Sequence, residues 1–245
     1  MSFFFTRATP DFLSSLIYKA RNVDGVRKIE LASFSTGPYD AVLTIDLHNN
    51  VALFTSTREG EGFDGANWNI WRADITDSEG ATFGDPSLLP APVNTIHSEC
   101  CTVAGEGDSF FFSSDRAGSW DIYEATTNDD GGYEVSMLEG ALNTKESTWP
   151  SADLAEESIL LFSSIRKAGA GGDDIYYSIL DAGMWSAGKM LGEPINKAGF
   201  EDGARVFNGS FFWSRRPKQA RSPAEGELNV SNIFSIPMAC ANVNR

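Results

Sequence analysis

One pattern recurs along this chain at a nearly constant interval. Its clearest copy is Phe111-Phe112-Ser113-Ser114-Asp115-Arg116, then a polar turn, then Asp121-Ile122-Tyr123. The same order returns as Leu161-Phe162-Ser163-Ser164-Ile165-Arg166 before Asp174-Ile175-Tyr176, and as Leu53-Phe54-Thr55-Ser56-Thr57-Arg58 before Asn69-Ile70-Trp71. Weaker copies lie at both ends, in residues 3–7 with Leu16-Ile17-Tyr18 and in residues 212–216 with Asn232-Ile233-Phe234. The marker phenylalanines Phe3, Phe54, Phe112, Phe162 and Phe212 stand 51, 58, 50 and 50 residues apart. A period near 50 with several short strands per unit is the signature of stacked blades, because one unit cannot bury its hydrophobic faces alone.

The second half of the unit repeats as well. Leu191-Gly-Glu-Pro-Ile-Asn196 matches Leu138-Glu-Gly-Ala-Leu-Asn143 and Leu89-Pro-Ala-Pro-Val-Asn94, and residues 31–36 form a worn copy. An acidic residue and a short strand follow each. No window carries a helical period, whereas short β-branched and aromatic runs are divided by Gly, Asp, Asn and Ser throughout. The expected unit is four strands, running inner strand, Phe-Ser strand, Asp-Ile-Tyr strand, outer strand. The expected fold is all-β: one five-bladed β-propeller of four-stranded antiparallel blades, spanning residues 1–245 as a single domain. The first blade starts at its second strand, and residues 238–245 offer one further strand for the last blade.

Phe-Ser-Ser-Asp-Arg, Asp-Ile-Tyr, Trp-Ser and Leu-Gly-x-Pro-Ile-Asn together resemble the WD40-like (PD40, TolB-type) β-propeller repeat. That resemblance covers nearly the whole chain and implies the fold. It does not imply one function, since the family's members include protein-binding modules, protease gating domains and lyases.

Composition narrows the partners. A net charge of −15 argues against nucleic acid or an anionic membrane, both of which favour a basic face. No stretch reads as a signal peptide or a span of about 18 apolar residues, so the expected location is cytoplasmic. Three cysteines, Cys100, Cys101 and Cys240, make neither a disulfide framework nor a zinc site, and two histidines cannot supply a three-histidine metal centre. Neither Asp173-Asp174 nor Asp129-Asp130-Gly131-Gly132 has the spacing of a calcium loop, so turn chemistry is the simpler reading. No metal and no cofactor are expected.

Arg7, Arg58, Arg116, Arg166 and Arg216 occupy one place in every unit. They either pin the loop between the second and third strands by bonding Asn69, Asp121 or Asp174, or ring a channel mouth. Function in propellers tends to sit where the repeat is broken. The inter-blade loops 94–101, 143–149 and 196–203 share a face with the loops 59–68, 167–173 and 217–228. They bring Asp40, His97, Glu99, Cys100, Glu146, Trp149, Glu201 and Asp202 toward the channel mouth. The basic run in 214–223 is a solvated loop or a docking site.

His97, Glu99, Glu146 and Glu201 are the candidate acid/base residues, because converging carboxylates raise one another's pKa and a histidine titrates near neutrality. Asp40, Trp149, Asp202, Arg58, Arg116 and Arg166 are the candidate ligand-binding residues, with Trp149 as a stacking platform. Alternatively, the acidic residues only cap backbone amides. Cys100 and Cys101 read as packing residues or, beside His97, as a nucleophile. The preferred function is metal-independent acid/base chemistry of the isomerase, cyclase, lyase or hydrolase type on a small molecule or saccharide. The alternative is a non-catalytic propeller that binds a protein or glycan.

Overall fold

The computed structural model describes residues 2–9, 14–77, 82–154, 158–167, 169–217 and 232–243. Among these, every regular element is a strand except one 3-10 turn. The first sheet is β1 (Ser2–Ala8), β2 (Ser15–Val23) and β3 (Val26–Leu31), and the second is β4 (Asp40–Asp46), β5 (Val51–Ser56), β6 (Asn69–Asp74) and β7 (Ser87–Leu88). The third holds β8 (Glu99–Ala104), β9 (Ser109–Ser114), β10 (Asp121–Thr127) and β11 (Tyr133–Met137). In the fourth, β12 (Thr148–Leu154), β13 (Ile159–Ser164) and β14 (Asp174–Asp181) are edged by β15 (Met184–Trp185) and β16 (Lys189–Met190), both paired to β14. The fifth is β17 (Gly199–Phe207), β18 (Ser210–Pro217) and β19 (Asn232–Pro237).

These five antiparallel sheets are the blades of a five-bladed β-propeller. The four-strand expectation needs correcting: among the described residues the first and fifth blades have three strands each and the fourth has five. Residues 238–240 form a short 3-10 helix (Met238–Cys240) instead of an outer strand. It is anchored by Met238 N–H donating to Gly209 O at 2.8 Å, and Ala241 is buried in the apolar cluster that the fourth and fifth blades share. The chain divides into two compact units. One contains the first two blades, the other contains the fourth and fifth, and the boundary runs through the third.

The second strands explain why the repeat was visible. Every residue of β5, β9 and β13 is buried. A strand covered on both faces reads as a continuous apolar run. Phe54, Phe112 and Phe162 are fully buried, each contributing about 1.5–3 kcal/mol. Across the ladder, Phe54 pairs with Trp71 and Phe162 with Tyr176, the latter rings stacked at 5.7 Å. The same pairing joins Phe5 to Tyr18 and Trp213 to Phe234. The repeat positions in the end blades are therefore Phe5 and Trp213, displaced from Phe3 and Phe212. Phe3 is exposed.

Each inner strand of blades two to five carries one extra residue. Two residues of β4, β8, β12 and β17 face a single residue of the neighbouring strand, opposite Phe54, Phe112, Phe162 and Trp213. The bulge residue adopts a left-handed backbone at Val42 (φ 50°), Cys101 (φ 62°) and Gly203 (φ 61°). Such a bulge bends the strand and re-aims its side chains.

The asparagine of the repeat has a structural role. Asn94 Oδ1 accepts from Ile70 N–H at 2.7 Å, while its Nδ2 donates to Ile70 O and Leu89 O at 2.8 Å. Asn196 does the same with Ile175 and Leu191, and Asn143 bonds Ile122 N–H and O. Each side chain stands in for a strand and fastens the outgoing loop to the blade it leaves. The Asn128–Gly132 turn is closed by Gly132 N–H donating to Asn128 Oδ1 at 2.7 Å.

Candidate functional site

The repeated arginine fastens the same loops to the blade they enter. Arg58 Nη2 donates to both oxygens of Asp40 at 2.8 Å and to Phe34 O at 3.0 Å, and its Nε reaches Ser56 Oγ at 3.0 Å. Arg116 bonds Glu99 Oε1 at 3.2 Å, Val93 O at 2.5 Å, Pro92 O at 2.9 Å and Ser114 Oγ at 2.9 Å. In the fifth blade Arg215 fills this place, not Arg216. Its Nε donates to Glu201 Oε1 at 2.7 Å and its Nη2 to Pro194 O and Ile195 O. The arginines thus hold inner-strand carboxylates and loop carbonyls, not the third-strand residues Asn69, Asp121 and Asp174.

The three carboxylates are fully buried and otherwise engaged. Asp40 Oδ2 accepts from Gly37 N–H and Ser35 Oγ, and Glu99 accepts from Thr95 N–H, Thr95 Oγ1 and Ser114 Oγ. Glu201 accepts from Lys197 N–H at 3.3 Å, and burial, outweighing Arg215, raises its pKa. The fourth blade lacks this acid. Thr148 occupies the register position, so Arg166 bonds Ser164 Oγ and Leu142 O and lies over the Phe162 and Tyr176 rings at 5.0 and 5.2 Å. Glu146 lies two residues earlier, its pKa lowered chiefly by the Thr144 hydroxyl, which donates at 3.0 Å.

The remaining candidates are more open. His97 Nδ1 stands 3.7 Å from Asp115 Oδ1, with both side chains roughly two-fifths exposed (44% and 39%). Asp202 bonds Ser214 Oγ and lies 3.7 Å from Arg216. Trp149 is half-buried with its ring 6.5 Å from that of Trp120. Of the candidates, Asp40 with Arg58, and Glu99 with Arg116, are brought into direct contact, each pair within one blade.

Asp174, at the start of β14, is fully buried. Its Oδ2 accepts from Gly171 N–H at 3.2 Å, its Oδ1 has no partner among the described residues, and burial raises its pKa. A carboxyl that holds its proton more tightly when folded stabilises the fold as pH falls through its raised pKa toward the ordinary carboxylate value, and that contribution is lost as pH rises back through the raised one. Asp174→Asn therefore melts above the wild type at pH 7, with the gap closing on titration to pH 4. Calorimetric melts at several pH values measure both.

The second blade carries an opening that the sequence only half revealed. Its long 59–68 loop is shaped by its own backbone: Gly60 and Phe63 exchange N–H···O bonds at 3.1 and 3.0 Å. At Gly65 the chain takes φ +77°, and a Cβ would stand 2.6 Å from Thr57 O. Asn67 Nδ2 ties the loop to Ile96 O at 2.7 Å. Beneath lies a cavity of about 460 Å³ lined by Gly60, Gly62, Phe63, Asp64, Gly65, Asn67, Asn69 and Ile96. A second opening of about 490 Å³, bounded by Arg58 and Glu59, shares the Asp64–Gly65 wall.

Asn69 is fully buried; its Nδ2 donates to Asn67 O at 3.3 Å, but its Oδ1 accepts nothing from the described residues. Two residues on, on the same face of β6, the buried Trp71 indole N–H also has no hydrogen-bond partner among the described residues. The sequence signal for Asn69 was an amide where the third and fourth blades have Asp121 and Asp174.

No protein-family model matches the sequence, and no curated protein matches it. Solved structures do match in fold. A protein assigned as TolB from Agrobacterium tumefaciens superposes with a TM-score of 0.60 at 15% identity, covering 98% of this chain and 79% of that one. The α-L-arabinanase of Penicillium chrysogenum complexed with arabinobiose gives 0.56 at 11%, covering 97% and 71%. The β-1,2-mannobiose phosphorylase of Listeria innocua complexed with β-1,2-mannobiose gives 0.51 at 12%, covering 93% and 68%. At these identities the likeness carries the fold alone.

Proposed function

We propose that this chain is a binding propeller that takes a neutral, hydroxyl-rich ligand, an oligosaccharide or polyol, in the second-blade cavity. The carrying observation is the cavity of about 460 Å³ lined in part by Asn69, whose fully buried Oδ1 accepts nothing from the described residues. Leaving such an acceptor unmet costs about 1–3 kcal/mol, which a ligand hydroxyl that reached it from the cavity would offset. The volume falls within the usual range for small-molecule sites. Asp64 adds a second acceptor on the wall, and the net charge of −15 disfavours anionic ligands. Two proteins of similar fold were solved with neutral disaccharides, which makes those sugars reasonable first probes.

The buried carboxylates enter this reading as fasteners of the blades, since Asp40, Glu99 and Glu201 each hold an arginine. The experiment is calorimetric titration with neutral di- and oligosaccharides alongside their uronate counterparts. Binding of a neutral sugar, lost at least tenfold in a folded Asn69→Leu variant, supports the proposal. Preference for the uronate, or unchanged binding in Asn69→Leu, refutes it.

One observation favours chemistry beside that cavity. His97 follows the cavity residue Ile96 directly and faces Asp115 at 3.7 Å, an exposed pair able to carry a proton. On this second reading a bound sugar is turned over by wild type and not by His97→Gln.

A further inference from the structure

In a regular strand adjacent side chains point to opposite faces. Cys100 and Cys101 break that rule, with their sulfurs 2.8 Å apart. That is closer than van der Waals contact and longer than a disulfide bond of about 2.05 Å. The cause is the inner-strand bulge. Cys100 pairs with Ser113 and Val103 with Phe111, leaving Cys101 and Thr102 opposite one residue, and Cys101 takes a left-handed φ of 62°. The equivalent pairs are Ala41-Val42 in the second blade and Asp202-Gly203 in the fifth, neither of which can react. Only in the third blade does the bulge bring two thiols together.

We propose that Cys100 and Cys101 are a redox-active vicinal dithiol that low-molecular-weight disulfides oxidise to an intramolecular disulfide. Cys100 is buried and Cys101 is half-buried, so access assigns the order of events. The Cys101 thiolate attacks one sulfur of the small disulfide, forming a mixed disulfide and releasing one small thiolate. The Cys100 thiolate then attacks the Cys101 sulfur, closing the ring and expelling the second small thiolate. The two cysteine sulfurs lose two electrons, the small disulfide gains them, and the two thiol protons go to the released thiolates. Burial, with Cys101 and Glu99 nearby, pushes the Cys100 thiol up, so the second step is the slower one.

Ring closure would act on a built part of the blade. Cys101 N–H donates to Thr55 Oγ1 at 3.2 Å, and Glu99, which Arg116 holds, is the residue before the pair.

The test uses the full chain with Cys240→Ser, because Cys240 is exposed and would capture disulfides itself. The protein is incubated with oxidised glutathione and followed by intact mass and thiol titration. The proposal expects loss of both thiols, a product lighter by two hydrogens without bound glutathione, a cross-link mapped to Cys100–Cys101, and full reversal by dithiothreitol. Cys100→Ser should stop at a glutathione adduct on Cys101, and Cys101→Ser should leave Cys100 unreacted. A wild-type pair that keeps the adduct, links two chains, or retains both thiols overturns the proposal.

Discussion

Arg116→Leu destabilises the protein by about 3–5 kcal/mol, the cost of stranding one member of a buried ion pair. Glu99 is fully buried, and Arg116 is its charged partner as well as the donor to Val93 and Pro92. Removing the guanidinium leaves a carboxylate in the interior and two loop carbonyls unmet. The fourth blade supplies an internal control. Arg166 has no carboxylate partner among the described residues, so Arg166→Leu costs only about 1–2 kcal/mol for its lost hydrogen bonds. Adding Glu99→Leu to Arg116→Leu should recover part of the loss, since the pair can be replaced by apolar groups at little cost. Urea unfolding of the four proteins measures this. Equal losses at Arg116 and Arg166 would contradict the fastener role.

Phe112→Ala costs about 3–5 kcal/mol, because a large, fully buried ring leaves a cavity that the blade cannot close. Phe3→Ala changes stability by no more than about 0.5 kcal/mol, as expected of an exposed position. The contrast tests the register, in which Phe5 and not Phe3 pairs with Tyr18. A large loss at Phe3 would mean that the first strand is paired differently.

The blades were legible because Phe54, Phe112 and Phe162 sit in strands buried on both faces, where an apolar run ends in the same small hydroxyl residues each time. The ends were harder for a definite reason. Phe3-Phe4-Phe5 and Phe211-Phe212-Trp213 are aromatic at every position, so composition cannot fix which residue faces Tyr18 or Phe234. Hydrogen-bond register decides it. In the fifth blade the arginine departs in the opposite sense, one residue earlier than the repeat spacing places it, so that Arg215 and not Arg216 lies on Glu201.

The acidic residues of the inner strands were legible as a recurring feature, and capping of loop amides three or four residues away was one reading of them. That each also binds an arginine depends on bonds between residues 14–18 positions apart, which spacing alone does not reveal. Asn69 was legible only as an oddity. Its meaning comes from counting partners: Asn94, Asn143 and Asn196 spend their amides on backbone, and Asn69 keeps an oxygen in reserve.

The most direct test of this account separates the cavity from the fasteners. Wild type, Asn69→Leu and Glu99→Gln are applied to one glycan array after each is shown to be folded by its thermal melt. The account predicts that Glu99→Gln keeps the wild-type binding profile while Asn69→Leu loses it. Retention by Asn69→Leu with loss in Glu99→Gln would contradict the account and move the site to the buried carboxylates.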